Sequence, residues 1–318
     1  MELFGAPCVF AEINRLLIDF SPRSSYVPRT QPLSKLPTMK FGTKTLDLAR
    51  PQVMGILNVT PDSFSDGGEL VDDGIPVLAR VIDRAAAMLE AGATLLDIGG
   101  ESTRPGAVPV TEQQELERVV PVIEALQSRF PAVLSVDTST AAVIRQAAAA
   151  GAGLVNDVRA LGKPGALAAA SQSGLPVCLM HMQGSPIVMQ QAPSYVDVVA
   201  EVADFLNSRM QACIDAGIDV SRLLVDPGFG YGKTLEHNLA LMASLEQLQP
   251  LGVPMLVGIS RKRMLGVITG KPEKQREAAG IAGALFAIQK GARIIRTHDV
   301  AGMVDAIKMW VAITNTRK

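Results

Sequence analysis

Apolar residues in this chain fall into eight short runs, and each run ends on a polar or charged residue. The runs are Val53–Leu57 before Asn58, Thr94–Leu96 before Asp97, Val133–Val136 before Asp137, and Gly153–Val155 before Asn156. Pro176–Met180 before His181, Arg222–Val225 before Asp226, Pro254–Ile259 before Ser260 and Arg293–Ile295 before Arg296 complete the set. Between them the period changes from continuous to helical. Val77, Leu78, Val81, Ile82, Ala85, Met88 and Leu89 recur at three- and four-residue spacings, which puts them on one helix face. Similar stretches over Thr111–Phe130, Thr138–Ala150, Tyr195–Ala216, Thr234–Leu248, Lys274–Lys290 and Val300–Val311 predict further helices, with a short one over Pro164–Ser173. Gly92, Gly151, Gly174, Gly217 and Gly291 stand where these helices give way to strands, as expected of a residue that tolerates the left-handed closing turn.

Apolar strands alternating with helices predict an α/β fold, here a single (β/α)8 barrel. An open doubly wound sheet normally has fewer parallel strands and one ligand crevice. Polar ends on all eight strands favour the closed barrel, whose C-terminal rim carries the chemistry. Residues 1–38 lack this pattern. Ser21–Pro37 is dense in Pro, Ser and basic residues, so 1–38 is expected to be a loose extension and 39–318 the barrel.

Composition narrows the partners. A hydrophobic fraction of 48% supports a large core, and a net charge of −1 gives no bulk attraction to nucleic acid or a membrane surface. Three widely spaced cysteines form no disulfide framework, and Glu2, Glu12 and Asp19 interrupt any signal-peptide pattern, so a cytoplasmic location is expected. The uncharged stretch Pro164–Val196 is broken by Gly, Pro, Ser and Gln and does not read as a membrane span. Three histidines without zinc-ligand spacing, and no Gly-x-Ser-x-Gly, argue against a zinc enzyme and a serine hydrolase.

The rim residues remain. Asp137, Asn156, Asp157 and Asp226 can read the donors and acceptors on the edge of a flat heterocycle, although any one alone could be a helix cap. Ser260-Arg261-Lys262 and Arg296-Thr297-His298-Asp299 end neighbouring strands and suit an anion, where barrels often hold phosphate. Gly228-Phe-Gly-Tyr-Gly-Lys233-Thr234 imitates a phosphate loop but has Pro227 where that motif requires Gly. Lys233 could therefore be a ligand contact or a solvated residue at a helix start. The Asn58–Gly68 loop reads as a solvated loop or as a lid over substrate.

Eight motifs occur together in order: Asn58-Val-Thr-Pro-Asp-Ser-Phe-Ser-Asp-Gly, Asp97-Ile-Gly-Gly-Glu-Ser-Thr-Arg-Pro-Gly, Ser135-Val-Asp-Thr-Ser, Asn156-Asp157, Met180-His-Met-Gln-Gly, Asp226-Pro-Gly-Phe-Gly, Ser260-Arg-Lys and Arg296-Thr-His-Asp. The set resembles the dihydropteroate synthase family from Met39 to near the C-terminus. The resemblance implies condensation of 7,8-dihydropterin-6-ylmethyl diphosphate with 4-aminobenzoate, releasing diphosphate, and a target for sulfonamides. Position by position it implies that Asp137, Asn156, Asp226 and Lys262 read the pterin edge, while Val158, Met180, Gly258 and Tyr231 wall its ring. Many members of the family have Phe where Tyr231 stands. Asn58, Thr103, Arg296 and His298 would take the diphosphate, with Mg2+ on Asn58. Phe64, Arg104, Pro105, Ser260 and Lys262 would form the aminobenzoate side, and Asp62 would stabilise the cation left when diphosphate departs. Lys262, Asp62, Arg296 and His298 are thus the expected catalytic set. The rival readings are a non-catalytic pterin-binding paralogue, a pterin-dependent methyltransferase domain, and a Schiff-base aldolase on Lys262.

A homodimer is also expected. Ala278–Ile288 has no polar side chain over three turns, so an outer helix here would leave apolar surface bare, and Gly280 and Gly283 could let a second helix approach.

Overall fold

The computed structural model describes residues 38–60, 70–103, 107, 109–185, 189 and 192–316. Two short antiparallel strands come first, β1 (Thr38–Phe41) and β2 (Lys44–Asp47). The first barrel strand is β3 (Gln52–Asn58), followed by a two-residue hairpin, β4 (Val71–Asp72) and β5 (Ile75–Pro76). Then α1 (Leu78–Glu90), β6 (Leu95–Gly99), α2 (Glu112–Gln127), β7 (Val133–Asp137), α3 (Ala141–Ala149) and β8 (Leu154–Asp157) alternate. They continue through α4 (Ala166–Ser173), β9 (Val177–Met180), α5 (Val198–Asp215), β10 (Leu223–Asp226), α6 (Leu235–Ala243) and β11 (Met255–Val257). The last elements are α7 (Arg263–Thr269), α8 (Glu277–Gln289), β12 (Ala292–Thr297) and α9 (Val300–Asn315).

The strands close in the order β3-β6-β7-β8-β9-β10-β11-β12, and β12 pairs with β3, so the expected (β/α)8 barrel is the observed fold. All its pairings are parallel. Alternation along each strand divides the core into two clusters. One apolar side chain from every strand points into the lower barrel: Met54, Leu95, Val133, Leu154, Cys178, Leu224, Leu256 and Ile294. Met39, Phe41 and Leu48 from the β1–β2 hairpin close this layer like a plug. The second cluster lies between strands and helices, where α1 buries Val81, Ala85 and Met88 on the stripe its spacing predicts.

Several boundaries differ from the sequence expectation. Thr38 already pairs with Asp47, one residue before the expected start of order. The helix expected from Thr138 begins at Ala141; the Thr138 hydroxyl donates to Glu115 and accepts the Thr140 N–H in a turn before the helix. The helix expected to reach Leu248 ends at Ala243 and continues as a 3-10 segment over Leu245–Leu251, which contains Pro250. The seven-residue helix α7 was not expected at all. Gly280 and Gly283 do not face outward: Gly280 is buried, and a Cβ on Gly283 would sit 2.5 Å from Ile259 Cδ1. Their small size lets α8 approach its own barrel, not a second helix.

Candidate functional site

One cavity of about 1000 Å³ opens at the C-terminal rim. That is the upper end of the usual range for small-molecule pockets, roughly 300–1000 Å³. Asn58, Thr103, Asp137, Asn156, Val158, Met180, Asp226, Tyr231, Gly258, Ser260, Lys262, Arg296 and His298 all line it. The remaining expected site residues, Asp62, Phe64, Arg104 and Pro105, lie outside the described residues.

Asp157 is the exception among the four rim acids and amides. It neighbours Asn156 in β8, so its side chain leaves the opposite face of the strand. There it accepts hydrogen bonds from the Ser139 hydroxyl and from the Arg159 and Leu161 N–H groups, and it shapes a turn. Behind the cavity stands Asp97, a wholly buried strand-end carboxylate. Asp97 Oδ2 accepts from Arg296 Nε at 2.5 Å and from Asn156 Nδ2 at 3.1 Å. Arg296 also reaches Asp137 Oδ2 at 2.9 Å. One guanidinium therefore links two carboxylates from two strands. Its pKa is raised above the usual arginine value because the pull of Asp97 and Asp137 outweighs burial. Burial, then the nearby Asp97 charge, pushes the Asp137 carboxyl up, while Arg296 opposes both.

Asp226 ends β10, and its Oδ1 accepts the Gly228 N–H at 2.7 Å. Burial raises its pKa, and the Lys262 charge opposes that rise. Burial lowers Lys262 to about 8 against the opposing pull of Asp226. The Lys262 ammonium donates to the Phe229 carbonyl and lies 4.6 Å from the centroid of the Tyr231 ring, a cation–π distance. The glycines of this loop are required by contact. Gly228 has φ +68°, and a Cβ there would lie 1.8 Å from the His181 carbonyl oxygen; at Gly232 (φ +62°) it would lie 2.4 Å from that of Gln183.

Lys233 lines the cavity and is not the solvated helix-start residue. It is 3% exposed, and its ammonium contacts the Gly228 carbonyl at 2.9 Å, the Tyr231 carbonyl at 3.1 Å and His181 Nδ1 at 2.8 Å. It pins the loop from behind. Burial lowers Lys233 to about 7, and burial with the Lys233 charge lowers His181 to about 3, so His181 is the neutral acceptor.

The Ser-Arg-Lys segment is fixed in the same manner. Arg261 holds φ +58° and forms an ion pair with Asp299. Arg276 donates to the Arg261 carbonyl at 2.9 Å. His298 Nδ1 lies 3.1 Å from the Ser260 hydroxyl, joining the ends of β11 and β12. The loop after β6 is tied by Arg118 to the Gly100 carbonyl at 2.9 Å and by Glu101 to Arg159 at 2.9 Å.

One pocket thus gathers Asp137, Asn156 and Asp226 with Arg296, His298 and Lys262. The profile of the family described as pterin binding enzyme matches residues 54–298. The chain is 51% identical to the dihydropteroate synthase of Haemophilus influenzae over 272 residues, covering 86% of this chain and 97% of that protein. It belongs to the dihydropteroate synthase family. The structure is similar to that of Yersinia pestis dihydropteroate synthase in a sulfonamide drug complex, with TM-score 0.85, 53% identity, and coverage of 88% of this chain and 100% of that one. It is likewise similar to Xanthomonas albilineans dihydropteroate synthase with 4-aminobenzoic acid, with TM-score 0.81, 50% identity, and coverage of 87% and 98%. No helix among the described residues is long and apolar enough to cross a membrane.

Proposed function

We propose that this chain is a dihydropteroate synthase that joins 7,8-dihydropterin-6-ylmethyl diphosphate to 4-aminobenzoate. The observation that carries the reading is one cavity in which Asp137, Asn156 and Asp226 stand with Arg296, His298 and Lys262. The acids and Asn156 accept from and donate to the pterin edge, while Val158, Met180, Gly258 and Tyr231 wall its ring. Thr103, Asn58, Arg296 and His298 hold the diphosphate. Ser260 and Lys262, with Phe64, Arg104 and Pro105, hold the aminobenzoate, and a sulfonamide occupies the same side.

The bond from the pterin methylene carbon to diphosphate breaks, and its electron pair leaves with the diphosphate. Arg296 and His298 stabilise that developing charge. Conjugation into the pterin ring spreads the positive charge left on carbon, and Asp62 stabilises it. The aniline nitrogen then forms the new C–N bond and gives its proton to solvent. No covalent adduct with the protein is needed, because holding both reactants in line supplies much of the rate.

Among the described residues no three His, Cys, Asp or Glu gather as a metal site. Mg2+ would arrive with the diphosphate and keep most of its waters. Asn58 Oδ1 and Asp137 Oδ2 both lie beside Gly99, 3.6 and 3.8 Å from where a Cβ would stand. Asn58 would supply the protein oxygen. When bound, the ion neutralises diphosphate charge and makes it a better leaving group.

The protein works as a cytoplasmic homodimer, residues 39–318 are its catalytic domain, and α8 belongs to the dimer interface. Diphosphate release measured with and without 4-aminobenzoate and Mg2+ tests the activity. Release coupled to dihydropteroate formation is expected. Release without aminobenzoate, or none with both present, would reject the synthase.

A further inference from the structure

We propose that the Tyr231 hydroxyl is a positioning group that sets the Thr103 hydroxyl to donate to the leaving diphosphate. This rests on the assignment of Thr103 to the diphosphate site. The Tyr231 and Thr103 oxygens are 2.9 Å apart, across the cavity from one loop to another. Both ends of that contact are held independently. Tyr231 is fixed by its N–H to Gly228, by its carbonyl to Lys233 and by its ring under Lys262. On the Thr103 side, Arg118 holds the Gly100 carbonyl and Arg159 pairs with Glu101. The hydrogen bond between the two oxygens fixes the rotation of the Thr103 hydroxyl.

The direction of donation follows from acidity. A phenol is a far stronger acid than an aliphatic alcohol, so it is the better donor of the pair. Burial raises the Tyr231 pKa further, so the phenol keeps its proton. With Tyr231 donating to Thr103 Oγ1, the Thr103 proton is left for an acceptor in the cavity. A hydroxyl that accepts one hydrogen bond also donates a stronger one. Where phenylalanine occupies this position, the ring persists but the relay does not.

The test uses the full-length protein and two probes, inorganic diphosphate in magnesium buffer and 6-hydroxymethyl-7,8-dihydropterin, which lacks the diphosphate. Tyr231→Phe keeps the ring and should weaken diphosphate binding about 3- to 10-fold, the value of one neutral hydrogen bond, with pterin affinity unchanged. Thr103→Val should show a similar loss, Thr103→Ser should restore binding, and Tyr231→Phe should add nothing in the Thr103→Val background. If Thr103→Val leaves diphosphate binding unchanged, the assignment of Thr103 fails and the relay with it. If Thr103→Val weakens binding but Tyr231→Phe does not, or if the two losses add, the relay alone is overturned. Equal loss of pterin and diphosphate affinity in Tyr231→Phe would show displacement of the ring and also overturn it.

Discussion

Arg296 Nε lies 2.5 Å from Asp97 Oδ2, although the two residues are 199 positions apart in the chain. The pair joins β12 to β6 across the barrel interior, and the same Asp97 oxygen accepts from Asn156. A residue proposed to bind diphosphate is thus oriented from behind by a carboxylate that does not line the cavity. This has a cost when broken. Asp97→Ala should destabilise the fold by about 1–3 kcal/mol, because it leaves the part-buried Arg296 guanidinium with one carboxylate instead of two. Denaturant unfolding of the variant against the parent measures it, and a change below about 1 kcal/mol would mean that water replaces the carboxylate.

The pterin side makes a second prediction. Asp226→Ala should abolish pterin binding and Asp137→Ala should weaken it. Each substitution removes a carboxylate acceptor facing a buried donor, a loss of about 1–3 kcal/mol or more for a charged group. The two differ because Asp226 loses an acceptor that faces the cavity beside Lys262, whereas Asp137 also serves Arg296. Calorimetry with unchanged pterin affinity in both variants would remove them from the site.

The fold was legible because each barrel strand is a nearly continuous apolar run and each rim residue interrupts one. Asp137, Asn156, Asp226 and Arg296 could be found by that rule alone. Asp97 obeyed it too, but its role depends on Arg296, and no periodicity reports a contact between residues so distant in sequence. Asp157 was misplaced because the rule identifies strand ends without saying which of two adjacent residues faces inward. Lys233 was ambiguous for the reason that a buried lysine and a solvated one look alike until their acceptors, here two carbonyls and His181, are placed. Helix α7, with seven residues directly after a charged motif, is too short to establish a period.

Two lysines give a pH dependence with a definite sign. Lys233 at about 7 and Lys262 at about 8 lie below the ordinary lysine value, about 10.4. Between pH 7 and about 10 the unfolded chain holds protons that the folded chain has released, so the contribution of these groups to stability rises with pH there. Lys233→Met should make that rise shallower, as read from urea midpoints at pH 7 and 9. Aminobenzoate binding should move the other way. Above about pH 8 Lys262 loses the charge that faces the substrate carboxylate, so the KM for aminobenzoate should climb. A KM flat from pH 7 to 9 would separate Lys262 from that carboxylate.

Truncation separates extension from barrel. A chain beginning at Met39 should fold and keep full activity, because the plug residues Met39, Phe41 and Leu48 remain. A chain beginning at Pro51 loses all three. Each buried side chain of this kind contributes about 1.5–3 kcal/mol, against a typical total stability of about 5–15 kcal/mol. The shorter chain should be insoluble or melt far below the longer one. Equal melting temperatures would mean that the hairpin contributes nothing to the barrel floor.

The last prediction concerns assembly. Helix α8 turns Gly280, Ala284, Ala287 and Ile288 inward and leaves Ala278, Ala282 and Phe286 exposed at four-residue intervals. Neither the preceding segment nor α9 covers Phe286, which is 42% exposed, and α9 adds Met309 at 62% and Ile313 at 49%. Exposed apolar side chains on two outer helices that pack together are costly to leave in water and are the kind of surface that associates. A second copy related by a two-fold axis would bring this surface against itself. Sedimentation should give a dimer at micromolar concentration, and Ala282→Glu with Phe286→Glu should shift it to monomer without loss of the folded barrel. A parent that sediments as a monomer would reject the dimer, whereas a dimer that survives both charges would move its interface elsewhere.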